Sequence, residues 1–94
     1  MKTVQSTESL FEAFGYSPNE AANLEIRADW MLALERYIRD EKMTQREAAR
    51  FFGIHQPRIN DLMKRRIDKF TIDALINMLA KTGKSVKIEI QEPA

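Results

Sequence analysis

Between Thr44 and Arg66 the chain reads TQREAARFFGIHQPRINDLMKRR, and few backbone paths accommodate it. Thr44 followed three residues later by Glu47 is a capping box, so a helix starts there. Gly53 stops it, because glycine enters the left-handed conformation at little cost. A second helix opens at Gln56-Pro57, since proline is tolerated in a first turn. It continues through Ile59, Leu62 and Met63 to about Lys64. Two short helices joined by a sharp turn are the layout of a helix-turn-helix over residues 44–64. Ala49 is small where the two helices cross closely, and Ile54, Ile59 and Leu62 lock the second helix onto the first.

With those residues facing inward, Gln56, Pro57, Asn60 and Asp61 fall near the opposite face, flanked by Arg58. In such a motif the N-terminal part of the second helix meets base edges in the major groove of double-stranded DNA. Gln and Asn pair bidentately with adenine, and Arg with guanine. Gln45, opening the first helix beside Arg46, can bind a phosphate with its amide while the helix end directs N–H groups at it. Lys64, Arg65, Arg66 and Lys69 form a basic cluster suited to the DNA backbone, with a steep salt dependence. A plainer reading of that cluster is solvation at a helix C-terminus, where Lys and Arg are favoured anyway.

The flanking segments carry their own signals. TESLFEAFGY, with Leu10, Phe11 and Phe14 at near-helical spacing and Gly15 as a stop, predicts a short helical arm over residues 7–16. Ser17, Pro18 and Glu20 then set a capping box with proline in its preferred place. They start a long helix over 18–42, which KMT divides from the next. This helix has two apolar stripes: Leu24, Ala28, Met31, Leu34 and Ile38 on one, Ile26, Trp30, Ala33 and Tyr37 on the other. A surface helix needs only one, so the second is expected to meet the LFEAF segment, another subunit or another protein. Thr71 caps a helix over 71–82, with Ile72, Leu75, Ile76 and Leu79 inward and Gly83 at its end.

SVKIEIQ alternates strictly, which predicts a strand over 85–91. One strand cannot stand alone, because its backbone groups and apolar face need a partner. The weak KTVQ stretch near the start is the only other candidate. The simplest arrangement pairs two copies of the chain across a two-fold axis, with Val86, Ile88 and Ile90 at the dimer interface. Addition to another protein's sheet edge is a second arrangement; an unstructured tail that happens to alternate is a third.

Composition excludes several classes. Ninety-four residues make one domain, which buries only roughly 60% of the unfolded surface. No run of about 18 apolar residues indicates a membrane span, and the N-terminus lacks a secretory pattern, which favours a cytoplasmic chain. Zero cysteines and one histidine leave no disulfide framework, no thiolate or His-rich metal site, and no expected cofactor. Glu25, Asp29 and Glu35 read as a solvated helix face. His55 has no nucleophile in a recognisable arrangement, and no Gly-rich phosphate loop occurs, so an enzyme is not expected. Net charge is only +1, but its distribution is uneven. Residues 1–42 hold five basic and eight acidic side chains, whereas residues 43–70 hold seven basic and three acidic. That asymmetry points to two partner surfaces in one small chain.

The stretch MTQREAARFFGIHQPRINDLMKRRIDKFTIDALINML resembles the lambda-repressor-like (Xre-type) helix-turn-helix family. The longer frame, from LFEAFGYSPNEAANLEIRADWMLAL to GKSVKIEI, is similar to a small single-domain subgroup of regulators related to HigA-type antitoxins. The resemblance covers about residues 10–91. It implies a mainly α bundle of about five helices with a short C-terminal strand pairing between subunits. It also implies a homodimeric repressor on a pseudo-palindromic operator, or an antitoxin that binds a small toxin through its acidic N-terminal half and represses its own operon. Gln45 matches the phosphate-contacting Gln of the first helix. Gln56, Pro57, Arg58 and Asn60 match the base-reading positions, and Thr71 opens a helix that often approaches the backbone. Three positions depart from the family pattern. Arg65 stands where a glycine is usual, so it must turn left-handed or let the helix run on. Phe51 replaces a common polar residue, either as extra packing or as an exposed patch. His55 replaces a Ser or Thr cap, which weakens that cap.

Overall fold

In a computed structural model, residues 10–90 and residue 92 are described. The elements are α1 (Leu10–Ala13), α2 (Pro18–Asp40), α3 (Gln45–Phe52), α4 (Gln56–Met63), a 3-10 turn (Ile67–Lys69) and α5 (Ile72–Lys81). The first part of the expected arm, residues 7–9, lies outside the described residues. The rest of the arm is a single turn, closed by Phe14 and Gly15 bonding back to Leu10 and Glu12.

The caps work as their side-chain chemistry dictates, with one difference. At Thr44 the box closes both ways: Thr44 Oγ1 accepts from Glu47 N–H at 3.1 Å, and the Glu47 carboxylate accepts from Thr44 N–H at 2.9 Å. At Ser17 only half forms. Ser17 Oγ accepts from Glu20 N–H at 3.4 Å, but the Glu20 carboxylate takes the Ser17 hydroxyl at 2.8 Å instead of the backbone. Thr71 Oγ1 accepts from Ala74 N–H at 3.1 Å and starts α5.

α2 is the spine. It contacts α1 at one end and α4, the 3-10 turn and α5 along its length, while α3 packs on α4 and α5. Met31, Leu34 and Ile38 enter one core with Ala48, Phe52, Ile59, Leu62, Phe70, Leu75, Met78 and Leu79. Ala48 has no exposed surface, whereas Ala49, expected at the crossing, is half-buried. Three of the four residues in the second stripe of α2 find cover within the chain. Trp30, Ala33 and Tyr37 pack half-buried against the same core. Tyr37 stacks on Phe51 at 5.8 Å between ring centres and lies 5.9 Å from the Lys84 ammonium. The LFEAF segment goes to the other side, where Phe11 lies with Ala28, Met31 and Leu32 around an apolar notch. Phe51 is therefore packing, although over a third of it remains exposed.

The C-terminal segment departs from expectation. Residues 84–90 form neither helix nor strand, and no strand occurs among the described residues; Gln91 is not among them. A strand needs an edge to satisfy its backbone groups, and no described residue supplies one. KTVQ lies outside the described residues. Of the three alternating residues only Val86 reaches the core, half-buried. Ile88 is 59% exposed and Ile90 95%. Pairing of this segment between subunits is accordingly not a feature of the structure. No helix among the described residues is long and apolar enough to cross a membrane.

Glu35 also departs from expectation. It is 5% exposed, not on a solvated face. Its carboxylate accepts from Arg39 Nε at 3.1 Å and from Arg65 Nε and Nη2 at 3.1 and 3.3 Å. The Arg65 hydrogen bonds hold this carboxyl below its usual range and outweigh burial, which pushes it up. A depressed carboxylate stabilises the fold above its ordinary unfolded value, and that contribution is lost as pH falls through the lower folded value. Urea unfolding at neutral pH should therefore show Glu35→Gln destabilised by about 1–3 kcal/mol. The gap to wild type should close as the solution is acidified below the ordinary carboxylate range. Equal stability of the two proteins at neutral pH rejects this account.

Candidate nucleic-acid interface

The turn between α3 and α4 is built by Gly53, whose φ of 69° places it in the left-handed region. Its N–H and that of Ile54 both return to Ala49 O, ending α3. A side chain at this position would be strained by the backbone and would displace the Lys81 ammonium. The backbone conformation disfavours a Cβ, and one placed there would lie 2.9 Å from Lys81 Nζ. That ammonium donates to Phe52 O at 3.0 Å. Lys81, near the end of α5, thus caps the last turn of α3 from outside the motif.

α4 starts without a side-chain cap, since His55 makes no such bond. Pro57 lacks one of the N–H groups that a cap would otherwise satisfy. Ile59 and Leu62 are fully buried, which turns Gln56, Asn60 and Lys64, each four residues from the next, onto one outer row. Gln56 and Pro57 are exposed and Asn60 half-buried. None of the three has a side-chain hydrogen-bond partner among the described residues. Gln45, half-buried, and Arg46, exposed, stand equally unengaged at the start of α3. The neighbouring Glu47 carboxyl is held below its usual range by the Thr44 N–H.

The remaining expected contacts divide. Arg58 does not join the outer row: its Nη1 donates to Lys69 O, and its guanidinium lies 5.7 Å from the Phe70 ring centre. It faces a groove of about 460 Å³ shared with His55, Lys69, Thr71 and Lys81. Asp61, expected on the open face, is half-buried and takes Arg66 Nη1 at 2.9 Å. Arg65 is committed to Glu35. Within the basic cluster, Lys64 and Lys69 have no ion-pair partner among the described residues. Arg65 does turn left-handed, with φ of 57°. Arg65 N–H then returns to Leu62 O and Arg66 N–H to Asp61 O, so α4 stops where a glycine would have stopped it.

Three side chains essential to this geometry escape a motif reading. Arg27 of α2 donates to the carbonyls of Ile67 and Phe70 at 3.1 and 3.2 Å and fixes the 3-10 turn. Glu35 and Lys81 do similar work at the ends of α4 and α3. Arg27 and Lys81 act on backbone carbonyls far along the chain, and Glu35 holds Arg65 across a separation of 30 residues. The one available signal is Arg65 at a glycine position, since a residue forced left-handed needs something to hold it.

The helix-turn-helix domain family matches residues 13–91. The chain belongs to that family. This helix-turn-helix domain therefore places its motif within a match that also takes in α2, α5 and the segment after it. A comparison with curated proteins finds no match.

Proposed function

We propose that the protein is a sequence-specific transcriptional repressor that reads double-stranded DNA with α4 in the major groove. The observation that carries this reading is the row of Gln56 and Asn60 beside Pro57 on the outer face of α4. Their amides are open to a partner, and amides in this position suit adenine edges. Lys64 continues the row, and Gln45 and Arg46 stand at the N-terminus of α3, where a phosphate is favoured. Arg58 and Thr71 border the adjoining groove with Lys69, suited to the neighbouring backbone. Anisotropy titrations on a duplex selected from random sequence test the assignment. Gln56→Ala should relax discrimination at one base position by about 1–3 kcal/mol. Lys64→Ala should weaken all duplexes alike and make the salt slope shallower by about 0.9. A wild-type protein that selects no sequence at low salt sinks the proposal.

The repressor acts as a homodimer on a pseudo-palindrome, with two α4 helices about 34 Å apart. Support comes from Ile88 and Ile90, apolar and alternating beyond an anchored Val86, in a segment whose backbone awaits an edge. Removal of residues 85–94 should convert a sedimenting dimer to monomer; an unchanged dimer moves the interface elsewhere.

A second reading, an antitoxin that also represses its own operon, is supported by Leu10, Phe14 and Tyr16. These lie exposed together at the acidic end of the chain. Co-purification with the product of an adjacent small gene is the expected result. An adjacent gene product that fails to associate removes this second reading and leaves the first.

A further inference from the structure

Glu35 is the one charged side chain buried among the described residues, and the DNA contacts proposed above make no use of it. It sits in the last third of α2, and both oxygens of its carboxylate are engaged, one by Arg65 Nε at 3.1 Å and the other by Arg65 Nη2 at 3.3 Å and Arg39 Nε at 3.1 Å. Arg65 reaches it from a left-handed backbone, a conformation that disfavours any residue with a Cβ. Two circumstances thus coincide at Arg65: a conformation that glycine would accept more readily, and a guanidinium fork closed on a buried carboxylate. An arginine needed only for phosphate requires neither. Arg65 is also the pivot of the α4 stop, because the backbone bonds from Arg65 to Leu62 and from Arg66 to Asp61 close around it. Whatever fixes Arg65 against α2 fixes the last turn of α4.

We propose that Arg65 is a positioning residue and not a phosphate contact. The Glu35–Arg65 fork clamps the C-terminal end of α4 to α2 and so sets the angle at which Gln56 and Asn60 are presented. This rests on the DNA-binding reading and adds to it a division of labour within the basic cluster. Lys64 and Lys69 face the DNA backbone, while Arg65 holds the reader.

The two roles differ in salt dependence. Each phosphate contact contributes about 0.9 to the slope of log K on log salt, whereas a clamp contributes nothing to it. The experiment uses the full chain as wild type, Arg65→Gly, Arg65→Lys, Glu35→Gln and the double variant Glu35→Gln/Arg65→Gly. The probes are a duplex selected from random sequence by the wild-type protein and a scrambled duplex of equal length, titrated across a salt series. Arg65→Gly should fold, since glycine accepts the left-handed turn. It should bind the selected duplex about three- to thirtyfold more weakly, bind the scrambled duplex as before, and keep the wild-type slope. Glu35→Gln, which leaves every cation in place, should show the same loss, and the double variant should be no worse than either single one. Arg65→Lys keeps the charge without the fork and should not rescue. A shallower slope in Arg65→Gly with recovery in Arg65→Lys overturns the proposal, as does wild-type binding by Glu35→Gln. Should Glu35→Gln fail to fold, the slope and the lysine comparison at Arg65 decide alone. A wild-type protein that selects no duplex removes the DNA reading and this inference together, whereas normal selection by all variants removes only the inference.

Discussion

Burial of Met31, Leu34 and Ile38 against Ile59, Leu62, Leu75 and their neighbours is the interaction on which the recognition geometry depends. α3 and α4 have eight residues each, too short to be stable as isolated helices. Their relative pose is fixed only because both insert side chains into a core whose other walls are α2 and α5. A chain of this size has little surplus burial, so the spine must serve more than one face. That is why α2 carries two apolar stripes: Trp30, Ala33 and Tyr37 of the second are taken up by Phe51 of α3, by the core and by the segment after α5.

Apolar packing orients the helices, and long polar side chains then fasten their ends. The last carbonyls of a helix have no partner of their own. Lys81 takes the Phe52 carbonyl where α3 stops, and Arg27 takes those of Ile67 and Phe70 in the 3-10 turn. Arg58 bridges from α4 to the Lys69 carbonyl. Glu35 supplies the complementary case, a buried acceptor that organises two guanidinium groups. These fastenings explain a distribution that charge counting misreads. Three of the seven basic side chains between residues 43 and 70, Arg58, Arg65 and Arg66, are already engaged within the protein, so the surface open to phosphate is narrower than the sequence total implies. The basic side chains of this stretch left exposed without an ion pair among the described residues are Arg46, Arg50, Lys64 and Lys69.

Local chemistry makes the helical frame legible. Thr44, Thr71 and Gly53 act through neighbours three or four residues away, and their consequences can be derived without a fold. The inward set Ile59 and Leu62 follows from helical periodicity, and the outward row of Gln56 and Asn60 follows from that set. Periodicity misplaces Arg58 because a long side chain can leave the face that its Cα occupies, and the carbonyl it seeks lies eleven residues on. It misplaces Glu35 because an acidic residue on a helix is usually solvated. The burial of Glu35 depends on Arg65, which no local pattern connects to it. The strand over 85–91 illustrates a different limit. Alternation states what a segment requires, but only a neighbouring edge turns the requirement into structure.

The tail and the clamp together describe where this domain has freedom left. Apart from the uncapped start of α4, the helix ends within the motif are closed by a capping box, a left-handed turn or a distant side chain, which holds α4 against the core. A firmly held reader suits discrimination, because a displaced amide loses both hydrogen bonds to an adenine at once. Beyond Val86 the order reverses: alternation continues while packing stops, leaving apolar side chains exposed. Apolar surface that the core does not take is surface available to association. The chain thus separates two surfaces by position: an outer row of amides on a helix fastened to the core, and an apolar segment that the core leaves exposed.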